Sequence, residues 1–146
     1  MTMILHQKAL HRPNGLAFSN DGKMLFVSDS VLGCPSWTGF PLLPDGTLGS
    51  ATIVLNRATL GYTFGSIDGS GLPPPGMEGV ADGFKVDAFG RIWASAPNGL
   101  VVIDPASKKV ITEIIFGTNI SNCWFGKGGD VWVTGAGHVW KLQRKV

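Results

Sequence analysis

The sequence predicts an all-β chain that forms about three blades of a β-propeller, half of a six-bladed ring. Three observations carry this expectation: a hairpin motif that recurs three times, a spacing close to that of one blade, and the lack of any sustained helical period.

The first copy reads Asn14-Gly15-Leu16-Ala17-Phe18, turns at Ser19-Asn20-Asp21-Gly22-Lys23, and continues as Met24-Leu25-Phe26-Val27-Ser28. The second reads Asp82-Gly83-Phe84-Lys85-Val86, turns at Asp87-Ala88-Phe89-Gly90, and continues as Arg91-Ile92-Trp93-Ala94-Ser95. In the third, Asn122-Cys123-Trp124-Phe125 turns through Gly126-Lys127-Gly128-Gly129-Asp130 into Val131-Trp132-Val133-Thr134. Each copy opens on Asn or Asp, turns on glycine, and enters a strand rich in β-branched and aromatic residues, which is the pattern of a hairpin. A period of tens of residues built on one such unit marks a repeat architecture.

From Asn14 to Asp82 is 68 residues and from Asp82 to Asn122 is 40. A four-stranded blade takes roughly 40–50 residues, so the longer interval holds a blade and an insertion. That insertion falls within about 65–80, where Gly65-Ser66-Ile67-Asp68-Gly69-Ser70-Gly71-Leu72-Pro73-Pro74-Pro75-Gly76 suits neither strand nor helix. Its composition leaves open whether it is a linker or a loop over a site. The outer half of each blade is readable too. Trp37 to Leu43, a turn at Pro44-Asp45-Gly46-Thr47 and Ala51 to Leu55 complete the first, which runs over about 13–60. Gly99 to Ile103, Asp104-Pro105-Ala106-Ser107 and Lys109 to Phe116 complete the second, over about 81–118. The third, over about 120–146, has Gly137 to Leu142 and is one strand short, a strand that residues near Ile4 to Leu10 could supply.

Composition narrows the function classes. Apolar residues make 44% and charged residues 15%, with 21 glycines and 9 prolines among 146 residues, and the mean hydropathy is +0.20. Three blades leave two open faces, and unpaired apolar surface of that kind drives association. A second copy, related by a two-fold axis, would bring the count to six and cover both faces, so a homodimer is expected. The net charge of +2 and the isolated pairs Lys108-Lys109 and Arg144-Lys145 give no basic stripe, which argues against nucleic acid. Met1 to Leu5 lacks the pattern of a signal peptide and no apolar run is long enough to span a bilayer. Two cysteines, Cys34 and Cys123, lack metal-ligand spacing and are read as small buried hydrophobes in a reduced, cytoplasmic chain. His6, His11 and His138 share no ligand spacing. Trp93, Trp124 and Trp132 fall on repeat strands, where packing between blades is the expected role. Asp21, Asp45 and Asp130 sit in glycine turns and are read as structural.

On residue type alone, Asn14-Gly15 and Asp82-Gly83 could be turn formers at strand starts. Together they carry more. Pro13 to Ser19 with Asp21-Gly22-Lys23 and Leu25 to Asp29, then Asp82 to Asp87 with Gly90 to Trp93, then Ile120 to Gly126, resemble the fourth, fifth and sixth blades of the SMP-30/gluconolactonase/LRE-like family, in order. Asn56-Arg57 resembles a pair in fungal-type lactonohydrolases. The resemblance runs from about residue 13 to 142 and matches the family's C-terminal half.

It implies a divalent cation, usually calcium, in the central channel and hydrolysis of sugar lactones or related esters. It also implies Asn14 and Asp82 as metal ligands. Asp82, at the ion's edge, could take the proton of the attacking water, and Asn122, at the equivalent opening of the third blade, is a candidate substrate or metal contact. The family's first-blade glutamate and a substrate-side asparagine have no counterpart. Asp82 of a second copy is a candidate replacement; Glu78, four residues before Asp82, could also serve but reads more readily as a solvated loop carboxylate. A non-catalytic metal- or sugar-binding module, or a remnant without turnover, is the alternative. Hard cations prefer oxygen ligands, so an amide and a carboxylate suit calcium, and a cation so held polarises a carbonyl.

Overall fold

In the computed structural model of this chain the described residues are 10–31, 34–56, 59, 80–96 and 98–143. They form three antiparallel sheets in chain order. The first has β1 (Pro13–Phe18), β2 (Met24–Asp29), β3 (Ser36–Pro41) and β4 (Thr52–Asn56), each beside the next. The second has β5 (Phe84–Val86), β6 (Ile92–Ala96), β7 (Gly99–Asp104) and β8 (Lys109–Ile115) in the same order. The third has β9 (Asn122–Phe125), β10 (Val131–Gly135) and β11 (His138–Leu142). Among the described residues the only helical segment is a 3-10 turn at Lys127–Gly129. This is the all-β, partial-propeller architecture that the repeats predict. The fourth strand expected from residues 4–10 lies, apart from Leu10, outside the described residues, as do Glu78 and most of the insertion.

The hairpins form where the sequence turns most sharply. Gly22 and Gly90 lie at φ +69° and +81° with open space around them, so glycine is required there by torsion alone. Each turn aspartate then accepts hydrogen bonds from its own turn: Asp21 from the Ser19 hydroxyl at 2.6 Å, Asp45 from the Thr47 hydroxyl at 2.6 Å. These bonds hold both carboxyls below the ordinary value. Asp130 meets Lys141 at 2.9 Å. The structural reading of all three turn acids fits these contacts.

Strand alternation sorts side chains into layers. Between the first and second sheets lie Phe26, Trp37, Val54 and Leu55 against Ala81, Phe84, Ile92, Ala94, Val101 and Ile103. Between the second and third lie Leu100, Ile120, Cys123, Val131 and Val133, with Trp93, Phe116, Phe125 and Trp140 at the margin. Trp93 meets Phe125 edge-on at 5.8 Å, and Phe116 meets Trp140 at 5.1 Å. Leu10 packs with Leu25, Val27 and Phe40 on the outer face of the first sheet.

Two expectations need correction. Trp124 and Trp132, read as packing between blades, are opposite one another in the β9–β10 ladder and are 64% and 44% exposed. The reason is parity: Cys123 and Val133 take the inward positions, so the tryptophans face out from the last sheet, where no described sheet follows. Cys34 is exposed, whereas Cys123 is buried as expected. Cys34 stands between strands and has no inward position in a ladder.

The outer faces of the first and third sheets are both apolar. On the first, Leu16, Phe18 and Ile53 stay exposed beside buried Leu25, Val27 and Phe40. On the third, Val139 joins the two tryptophans. No helix among the described residues is long and apolar enough to cross a membrane.

Asp87 is the polar anchor of the second sheet. Its buried carboxylate accepts from the backbone N–H of Phe89 and Arg91, from Arg91 Nε at 2.6 Å and from Trp93 Nε1 at 3.0 Å. Burial alone would raise this carboxyl, but the indole, backbone and guanidinium donors outweigh it and hold it below the ordinary value. A depressed folded-state value stabilises above the unfolded-state value and is lost as pH falls through the folded one. Asp87→Asn should therefore lower stability by about 1–3 kcal/mol at neutral pH and by much less once the pH has fallen through the depressed folded-state value. Denaturant melts at both pH values check this. Burial pushes the Cys123 thiol up to about 11, so a thiol reagent at pH 8 should label Cys34 promptly and Cys123 only after unfolding. Equal labelling rates in the folded protein would contradict the packing of β9.

Candidate functional site

The three motif openings come together at one rim. Asn14-Gly15 lies in β1, Asp82-Gly83 runs into β5, and Ser121-Asn122 begins β9. At Gly15 a Cβ would fall 2.6 Å from the Asp82 carbonyl oxygen and 3.1 Å from Gly83 Cα. At Gly83 it would fall 2.5 Å from Asn122 Cγ and 2.6 Å from the Ser121 carbonyl oxygen. Neither glycine has a positive φ. These two positions are glycine for lack of space, so each opening rests directly on the next, and the Gly83 N–H donates to the Ser121 carbonyl at 2.7 Å.

Hydroxyl groups lock this stack, and sequence reasoning missed them. Ser28, at the end of β2 and wholly buried, accepts from the Gly15 N–H at 2.8 Å and donates to the Asp82 carbonyl at 2.7 Å. Ser95, at the matching place in β6 and also wholly buried, accepts from the Asp82 N–H at 2.8 Å. Thr134, the third equivalent, shares a 3.1 Å hydroxyl contact with Ser121. Ser30 adds a bond to the Ala81 carbonyl at 2.5 Å. The signal was present, since a hydroxyl residue ends the second strand of every repeat copy.

The candidate side chains differ in how committed they are. Asn14 is exposed and Asp82 half-buried, and neither side chain hydrogen-bonds to another described residue. The two are neighbours through the Gly15–Asp82 contact, one amide oxygen and one carboxylate with no competing partners. That donor set suits a hard cation, which takes about 6–8 oxygens, water included. Among the described residues no three His, Cys, Asp or Glu come together as a metal-holding group.

Asn122 is different: its Oδ1 already accepts from Lys85 Nζ at 2.9 Å and from the Cys123 N–H at 2.9 Å. Lys85, on the strand that follows Asp82, was not anticipated; its signal was a lone cation in an otherwise apolar strand. Asn56 caps its own turn, its Oδ1 accepting from the Thr59 N–H at 3.1 Å, and Arg57 lies outside the described residues.

A family model described as SMP-30/Gluconolactonase/LRE-like region matches residues 2–137. The gluconolactonase of Zymomonas mobilis is 30% identical over 135 residues, covering 92% of this chain and 35% of that protein. The lactonohydrolase oryH of Aspergillus oryzae is 32% identical over 138 residues, covering 89% of this chain and 29% of that protein. Among solved structures, the gluconolactonase of Xanthomonas campestris superposes with a TM-score of 0.67 at 29% identity, over 89% of this chain and 37% of that one. A luciferin-regenerating enzyme reaches a TM-score of 0.68 at 17% identity over 90% of this chain and 40% of that one, a likeness of fold. The chain thus spans about a third of the length of the relatives it matches.

The stack predicts its own weak points. Ser28→Ala leaves the Gly15 N–H and the Asp82 carbonyl without their partner and should cost about 1–3 kcal/mol. Gly15→Ala forces the first two sheets apart and should cost a similar amount, about 1–3 kcal/mol. Gly22→Ser, in open space but at positive φ, should cost less, about 1 kcal/mol. Urea melts of the three variants check the ranking, and an unchanged Ser28→Ala midpoint would remove the hydroxyl from the argument.

Proposed function

Because the chain belongs to the SMP-30/gluconolactonase/LRE-like family, we propose that it hydrolyses sugar lactones or related esters with a divalent cation, most simply calcium, as a dimer that completes the ring. The observation that carries this reading is the direct stacking of the Asn14, Asp82 and Asn122 openings at one rim. Two relatives similar over most of this chain bear the names gluconolactonase and lactonohydrolase, which supports the substrate class.

Asn14 and Asp82 would hold the cation, which when bound supplies a positive charge to polarise the lactone carbonyl. The chain's own work is then proton handling and positioning. Water adds its oxygen to the carbonyl carbon and gives a proton to the Asp82 carboxylate. The ring C–O bond breaks, and the departing ring oxygen takes up that proton. Asn122 lies on the neighbouring opening, within reach of the same substrate.

A second copy supports the site as well as the fold. The apolar outer face of the first sheet, with Leu16, Phe18 and Ile53, would meet the outer face of the third sheet of its partner, with Val139. Six sheets would then surround one channel holding two copies of Asp82, the second carboxylate standing in for the missing glutamate. A binding module without turnover is the second reading, favoured by the fact that Asp82 is the one acid among the three openings.

Asp82→Ala should abolish lactone hydrolysis and the stabilisation by millimolar calcium, a mass-action effect on melting temperature. Asn14→Ala should weaken both less, and Asp21→Ala, in an exposed turn, should change neither. Proton release on a panel of sugar lactones and thermal melts with and without calcium are the measurements. Wild-type behaviour in Asp82→Ala would remove it from the site, and calcium binding without hydrolysis in the wild type would favour the binding module. Light scattering showing a folded monomer would end the dimer.

A further inference from the structure

Beside the rim lies a groove of about 220 Å³ lined by Lys85, Asn122, Cys123, Trp124, Trp132 and Thr134. Its charge is unbalanced. The other cations described in ion pairs have acids: Lys141 has Asp130 at 2.9 Å, Arg91 has Asp87 at 2.6 Å and Lys23 has Asp21 at 4.0 Å. Among the described residues Lys85 is held only by neutral acceptors, Asn122 Oδ1 at 2.9 Å and the Phe84 carbonyl at 3.0 Å, and its ammonium stands 5.6 Å from the Trp124 ring centre. Among the described residues no carboxylate pairs with it.

The amide beside it is oriented by the same contacts. Two donors, Lys85 Nζ and the Cys123 N–H, converge on one end of Asn122, which fixes that end as oxygen. The other end is then the NH2, whose donors have no partner among the described residues, on the same amide that Lys85 Nζ contacts at 2.9 Å. Adjacent ammonium and amide donors with no acid between them match the two oxygens of a carboxylate. Trp124 and Trp132 also line the groove, with Lys85 Nζ 5.6 Å and Lys141 Nζ 5.5 Å from their ring centres.

We infer that Lys85 and Asn122 form a binding site for the carboxylate of a polyhydroxy acid, the product that opening a sugar lactone releases. The ligand class rests on the hydrolase reading above; the charge and donor geometry stand without it. Lys85 is thus a product-binding residue, and Asn122, its amide oxygen already taken, serves the ligand and not the cation.

The test is binding of gluconate to the full chain in metal-free buffer, followed by tryptophan fluorescence and calorimetry, with sorbitol as the neutral match and acetate as the simple anion. Gluconate should bind more tightly than either control. Lys85→Gln should weaken it about 10- to 100-fold, the span of a charge-assisted hydrogen bond. Lys85→Arg should retain most of the affinity and shows that the position tolerates exchange. Asp21→Ala, in an exposed turn, should bind gluconate as the wild type does. Equal gluconate affinity in Lys85→Gln and wild type overturns the inference, as does a wild type that binds gluconate no better than sorbitol or acetate. Loss in Lys85→Gln together with loss in Lys85→Arg supports it only if both variants keep the wild-type melting temperature, and overturns it otherwise. If gluconate binds through Lys85 while no lactone is hydrolysed, the carboxylate site stands and the hydrolase reading falls.

Discussion

The fold depends on one close approach. Where successive sheets meet, the backbone of one opening occupies the space that a side chain would take on its neighbour: the Asp82 carbonyl against Gly15, the Ser121 carbonyl against Gly83. Such contact buries peptide groups that would be expensive to leave unpaired. Ser28, Ser30 and Ser95 supply the partners from within the core. The apolar layers between sheets contribute the bulk of the driving force, but they are non-directional. The glycine contacts and hydroxyl bonds fix which residue of one sheet faces which residue of the next, and so place Asn14 beside Asp82.

That arrangement explains why candidate residues so far apart in the chain belong together. Sixty-eight residues separate Asn14 from Asp82, yet the carbonyl of one motif lies against the glycine of the other. A divided site of this kind needs rigid openings and uncommitted side chains. Asn14 and Asp82 meet both conditions, whereas Asn122 is engaged by Lys85. The division of labour at the rim therefore follows from which acceptors the local backbone and its cations have already used.

Much of this was legible in the sequence, and the reasons for the rest are physical. The hairpins were readable because a tight turn demands glycine at positive φ, and Gly22 and Gly90 stand where the motif says. Asn14 and Asp82 each precede a glycine at a strand opening, and the structure brings those two openings into contact. Ser28 and Ser95 look like ordinary strand residues, and only three dimensions show that their hydroxyls reach across to another blade's opening. Trp124 and Trp132 were misjudged because periodicity gives the face a residue occupies but not whether another sheet lies over that face. Lys85 was passed over for a related reason: a lone lysine in a strand is usually solvated, and its lack of an acid partner is a property of its neighbours.

The bonds between sheets also have a polarity. Ser28 and Ser30 of the first sheet reach forward to the opening of the second, so the front of one sheet recognises only the back of another. In the proposed dimer, association through the free ends would be head-to-tail and not like with like. A head-to-tail contact closes into a ring or runs on as a helix according to the rotation and rise it imposes. The close approach that Gly15 and Gly83 allow would thereby bear on whether copies form a discrete particle or a fibre.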